Sequence, residues 1–175
     1  KICVTKEVVC ELPTGCDTNF SHFASAVKSA DDTQCPVFCY RVTVSNCGEV
    51  PLTNVTVTDT IVSGDGTALD LAGKCSFPTT LALNESYSCV LTGVTHCVTT
   101  TDRVDASGAS VFDTSQVVRT NDTATVAVQP IAVTCDATVN GKNFVEIPCD
   151  GQPYFITNEV TICNPLNSSA LPIVA

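Results

Sequence analysis

The chain has 175 residues, and its 8 Lys and Arg against 18 Asp and Glu give a net charge of −10. The cations are scattered singly, which excludes nucleic acid as a partner, because a phosphate backbone needs a clustered basic surface. Hydrophobic residues are 44% of the chain, chiefly Val and Ala among many Thr, with Trp and Met absent; that suffices for a core and favours strands over helices.

Residues 2–9, ICVTKEVV, predict a first strand. Residues 10–35 read as a Cys-rich insert in which residues 21–32 predict a short helix, with Phe23, Ala26, Val27 and Ala30 at helical spacing. Residues 40–59, YRVTVSNCGEVPLTNVTVTD, are the stretch around which the chain is organised. Tyr40, Val42 and Val44 alternate with Arg41, Thr43 and Ser45, and Val55 and Val57 alternate with Thr56 and Thr58. That is the period of strands with one face on a core. Asn46, Gly48 and Pro51 form the loop between them.

Gly64-Asp65-Gly66 predicts a turn. Turn chemistry accounts for Asp beside Gly, and a Ca²⁺ site shared with Asp59 or Asp70 is the less favoured alternative. Residues 69–71 predict a short strand, residues 81–86 a turn, and residues 87–92 a strand, with Cys75 and Cys89 placed to bridge neighbouring strand ends. A polar stretch containing Asp102, Asp105 and Gly108 follows, and residues 117–128 form the longest alternating run, ended by Pro130.

At residue 131 the sequence begins again. IAVTCDATVN parallels ICVTKEVVC, and Cys149 with Tyr154 repeats the separation of Cys35 from Tyr40. Such repetition implies an array of like domains. The expected division is an Ig-like β-sandwich over 1–130, with the insert 10–35, then a partial second Ig-like repeat over 131–175. The partial copy is expected to be completed by a neighbouring chain or by further sequence, since open sheet edges and unpaired buried groups are costly.

Twelve cysteines, Cys3, Cys10, Cys16, Cys35, Cys39, Cys47, Cys75, Cys89, Cys97, Cys135, Cys149 and Cys163, read as a disulfide framework made in an oxidising compartment. No Cys-x-x-Cys pair occurs, so zinc ribbons and thioredoxin-type redox sites are disfavoured. Nine cysteines precede Ile131 and three follow it, so complete oxidation requires a bridge between the segments or between chains. Asn19, Asn54, Asn84, Asn121 and Asn167 open Asn-x-Ser/Thr triplets and are glycosylation candidates. No apolar run reaches the roughly 18 residues a membrane helix requires. A mature secreted or cell-surface chain, its signal peptide already removed, is the expectation.

His22 and His96 are the only histidines, and no Gly-x-Ser-x-Gly or phosphate-cradling Gly loop occurs. A Cys–His nucleophile needs a free thiol, which disulfide pairing removes. A paired-carboxylate glycosidase is disfavoured by the low aromatic content. No catalytic residue, metal site or cofactor is assigned, and the chain is expected not to be an enzyme.

The block at residues 40–59, LALNESYSC at 81–89 and NDTATVAV at 121–128 resemble, in order and spacing, the conserved Ig-like repeat family of surface proteins known as the conserved repeat domain of unknown function eleven. The similarity spans residues 36–130. The resemblance implies a β-sandwich acting as a spacer or building block on a cell exterior. The cysteine density and the insert at 10–35 depart from the family's pattern. The reading is therefore a structural subunit of an extracellular filament or fibre that polymerises with copies of itself through strand complementation and disulfides. The alternative is an adhesive or ligand-binding Ig-like module of a larger surface protein, its ligand a glycan or a protein.

Overall fold

The computed structural model describes residues 1–28 and 34–130, together with two strands within 131–175. The chain divides into two compact units, Lys1–Pro130 and Ile131–Ala175. In chain order the first runs β1 (Ile2–Leu12), β2 (Gly15–Cys16), β3 (Phe23–Lys28), β4 (Val37–Asn46), β5 (Leu52–Ser63), the one-turn helix α1 (Leu71–Lys74), β6 (Thr80–Leu81), β7 (Ser86–Thr95), β8 (Thr100–Ser110) and β9 (Val117–Pro130). The second contains β10 (Thr134–Val139) antiparallel to β11 (Asn158–Cys163). The fold is all-β and disulfide-rich.

Two sheets build the first unit, ordered β2-β1-β4-β7 and β3-β9-β8-β5-β6. Their inner faces meet in the core: Ile2, Val4, Val42, Val44 and Leu91 come from the first sheet, and Leu52, Val55, Val104 and Ala106 from the second. A fully buried side chain such as Val42, Val44 or Val104 contributes about 1.5–3 kcal/mol relative to exposure. A second cluster, Val8, Phe38, Tyr40, Ala124, Val126 and Val128, continues the interior, and Leu69 packs against both. In β5 the register shifts between Thr53 and Thr56, and Asn54 takes a left-handed φ of 51° at this bulge.

Three sequence expectations are corrected. Residues 23–28 are a strand, not part of a helix: β3 runs parallel to β9 in register from Phe23↔Thr125 to Lys28↔Pro130. Phe23, Ala26 and Val27 keep helical spacing, but Ala24 and Ala26 are the residues that pack inward, and the ladder offered by the edge of β9 decides the outcome, a tertiary contact overriding local spacing. The chain reaches β9 from β1 through a two-residue hairpin strand, β2, and an antiparallel bridge between Val8 and Ser21.

The stretch read as polar around Asp102 is β8, paired on both sides with β5 and β9. Thr100, Asp102, Val104 and Ala106 all face inward, so the polar residues occupy core positions. Residues 69–71 are not a strand. Asp70 caps α1 by accepting a hydrogen bond from the Gly73 N–H at 2.8 Å, the usual role of Asp at a helix start.

Candidate functional site

Strand alternation puts Ile2, Val4, Lys6 and Val8 on one face of β1, and three of these four are aliphatic. Lys6 is nonetheless wholly buried. Its ammonium meets the Asp59 carboxylate from β5 in direct contact at Oδ1 and lies 3.7 Å from Asp102 Oδ2 on β8. All three side chains are fully excluded from solvent. Asp59 and Asp102 share the inner face of neighbouring strands, because Asp59 pairs with Val104, two residues from Asp102.

The surroundings hold these groups in place. Asp59 Oδ2 accepts the Leu69 N–H at 2.8 Å, and the Lys6 N–H donates to Asp122 Oδ2 at 2.7 Å. The Tyr40 ring lies 5.0 Å from Lys6 Nζ, within cation–π range. Asp102 accepts no hydrogen bond of ordinary geometry at either oxygen among the described residues, although the Tyr40 hydroxyl and His96 Nε2, 3.8 Å from Oδ2, face it. Burial pushes its carboxyl above the ordinary range, partly offset by Lys6 and Tyr40 and reinforced by Asp59.

His96 follows β7 and is buried, packed against Phe38 and Tyr40 with ring centroids 6.0 Å apart in each case. Its Nδ1 lies 3.2 Å from the Asp65 carbonyl oxygen and 3.3 Å from Asp65 Oδ1. Facing two acceptors, Nδ1 is assigned the proton, which leaves Nε2 to accept from the Tyr40 hydroxyl at 3.1 Å. Burial and the Asp102 carboxylate hold the Tyr40 phenol far above its ordinary range, so it remains a donor.

Asp65 belongs to a turn whose flanking Gly64 and Gly66 have φ of 105° and 95°, which makes glycine the fitting residue. A Cβ at Gly64 would collide with Thr100. Burial raises the Asp65 carboxyl, but hydrogen bonds from the Cys97 N–H, Thr100 and His96 more than offset it and hold it below the ordinary range. The three acids weighed for Ca²⁺ thus diverge: Asp65 serves the turn, Asp59 faces Lys6, and Asp70 caps α1. Among the described residues no group of three His, Cys, Asp or Glu is arranged to hold a metal.

Four disulfides form: Cys3–Cys47, Cys16–Cys39, Cys35–Cys97 and Cys75–Cys89. Each has at least one end in the first sheet or in a segment adjoining it, and none links a strand of one sheet to a strand of the other. Cys10, read from the sequence as a disulfide cysteine, has no disulfide partner among the described residues, and a bridge from it to the cysteines after Ile131 lies outside them. Its Sγ donates to the Ser25 carbonyl at 3.4 Å, and burial followed by Asp17 raises its thiol above the usual value. Nine cysteines and four bridges within Lys1–Pro130 leave it over by parity.

Cys135 and Cys163 fall in β10 and β11; Cys149, Asn167 and the pairing expected for these three cysteines lie outside the described residues. Asn19, Asn54, Asn84 and Asn121 are all exposed, and Asn84, like Asn54, sits at positive φ, 59°.

Sequence reasoning passed over Lys6, Asp59 and Asp102 as a group. The available signal was phase: each charge stands at an inward position of an alternating run. No family model matches the chain, and neither a curated protein nor a solved structure matches it significantly.

Proposed function

We propose that the chain is a structural subunit of an extracellular filament or cell-surface fibre, assembled with copies of itself by strand complementation and disulfides. The observation that carries this reading is β7, a strand of 10 residues at the rim of the first sheet, which pairs only with β4 among the described residues. A long sheet edge is a template for strand addition. Cys10 supplies a thiol for a bridge beyond its own unit. Four disulfides and four exposed glycosylation triplets suit passage through an oxidising secretory route. The resemblance to surface-protein repeats points the same way. In this role the sandwich carries force through ladder hydrogen bonds loaded in shear, with covalent bridges limiting extension.

One feature favours the adhesive reading. The outer face of the second sheet carries a shallow polar depression of about 320 Å³ between Thr56, Asp105, Arg119 and Asn121, a size that suits a small polar ligand such as a sugar. Non-reducing electrophoresis and negative-stain imaging of the secreted chain separate the two. A ladder of oligomers and visible fibres is expected. A strictly monomeric chain that binds a glycan saturably would replace the filament reading with the adhesive one.

A further inference from the structure

Lys6, Asp59 and Asp102 are all fully buried, at positions where alternation calls for apolar residues. A buried ion pair gains little over well-packed apolar side chains, because desolvation offsets most of the attraction. Stability alone therefore gives a weak reason for the arrangement. An amine and a carboxyl held in contact away from solvent have a second outcome open to them, which is condensation.

We propose that Lys6 and Asp59 are joined by an intramolecular amide bond between Nζ and Cγ, formed by the protein itself with Asp102 relaying the protons. Four features of the site serve that reaction. Nζ already touches the Asp59 carboxyl, so the nucleophile and its target are held as neighbours rather than brought together by diffusion. The Leu69 N–H points at Asp59 Oδ2 from 2.8 Å, where negative charge develops as the tetrahedral intermediate forms. Asp102 Oδ2 stands 3.7 Å from Nζ and 3.8 Å from His96 Nε2, with the Tyr40 hydroxyl as its other polar neighbour. The Tyr40 ring, 5.0 Å away, closes off the amine.

The step balances without any other reactant. The Lys6 ammonium first yields a proton to the Asp59 carboxylate it touches, giving a neutral amine beside a carboxylic acid. The nitrogen lone pair attacks Cγ and the C–N bond forms. Asp102 takes a proton from nitrogen and passes it to Oδ1. The Cγ–Oδ1 bond then breaks, and Oδ1 leaves as water. Asp102 ends as it began, and nothing is oxidised or reduced. The raised Asp102 carboxyl suits this exchange, because it takes up a proton more readily than an exposed carboxyl does.

The product ties β1 of the first sheet to β5 of the second, a link that none of the four disulfides makes. The inference stands on the geometry of this cluster and goes beyond the filament reading: a monomeric adhesive module would carry the bond equally well.

Mass spectrometry of the secreted full-length chain, reduced, alkylated and enzymatically deglycosylated, tests it. The intact mass is expected to fall short of the sequence mass by one water. A tryptic digest is expected to contain residues 2–28, uncut after Lys6, joined to residues 42–74, in a branched peptide that survives reduction. A full-mass chain cleaved after Lys6 overturns the proposal, and this outcome needs no variant that has to fold. Asp102→Asn, close in shape, is expected to keep the strand signature in circular dichroism and to retain the full mass; loss of water in that variant overturns the relay role of Asp102.

Discussion

Lys6 Nζ on β1 lies 3.7 Å from Asp102 Oδ2 on β8, so a polar contact crosses between the two sheets beside the apolar core. Lys6→Met tests how much the fold depends on it. The variant strands the Asp59 and Asp102 carboxyls and cannot form the proposed amide, so a loss of at least about 3–5 kcal/mol is expected in denaturant unfolding of the oxidised chain. A loss below about 1 kcal/mol would show that the cluster tolerates unpaired carboxyls.

Asp65 gives the fold a pH dependence of known sign. Its carboxyl is held below the ordinary range by Cys97, Thr100 and His96, so its contribution is present at neutral pH and is lost as pH falls below about 4, through its folded value. Asp65→Ala is expected to cost about 1 kcal/mol near pH 7, and the gap between wild type and variant should close in acid. Thermal unfolding of both chains across this range checks it.

Cys10 is the thiol left over by the four bridges of the first unit. Cys10→Ser should leave those bridges intact in a non-reducing peptide map while weakening or removing the covalent ladder on non-reducing gels. An unchanged ladder would move the intermolecular bridge to another cysteine.

Tyr87 and Val90 lie exposed on the edge strand β7. The double variant Tyr87→Lys/Val90→Lys places charge along that edge, a device that discourages strand addition. Sedimentation should show assembly reduced with monomer stability nearly unchanged, since surface substitutions usually stay within about 0.5 kcal/mol.

Much of this architecture was legible in the sequence. The alternation in residues 40–45 and 117–128 marks β4 and β9, and the Gly-Asp-Gly turn stands where its glycines require it. The misreadings have physical causes. Residues 23–28 carry small residues that fit two periods, and only the edge of β9 selects the strand. Around Asp102, polar residues masked an inward-facing run, because composition was weighed ahead of phase. Lys6 in ICVTKEVV and Asp59 in VTVTD were visible as charges in apolar phase, yet their meeting depends on which strands face each other across the sandwich, and no local pattern states that.

The proposed amide ties the two sheets of the sandwich covalently, and extension of single molecules under force in reducing solution probes that tie directly. Reduction opens the disulfides but spares an amide. With Lys6 and Asp59 joined across 53 positions of sequence, the first unit should extend about 180 Å less than its full chain length. Extension to the full length would contradict the cross-tie and reduce the Lys6–Asp59 contact to an ion pair.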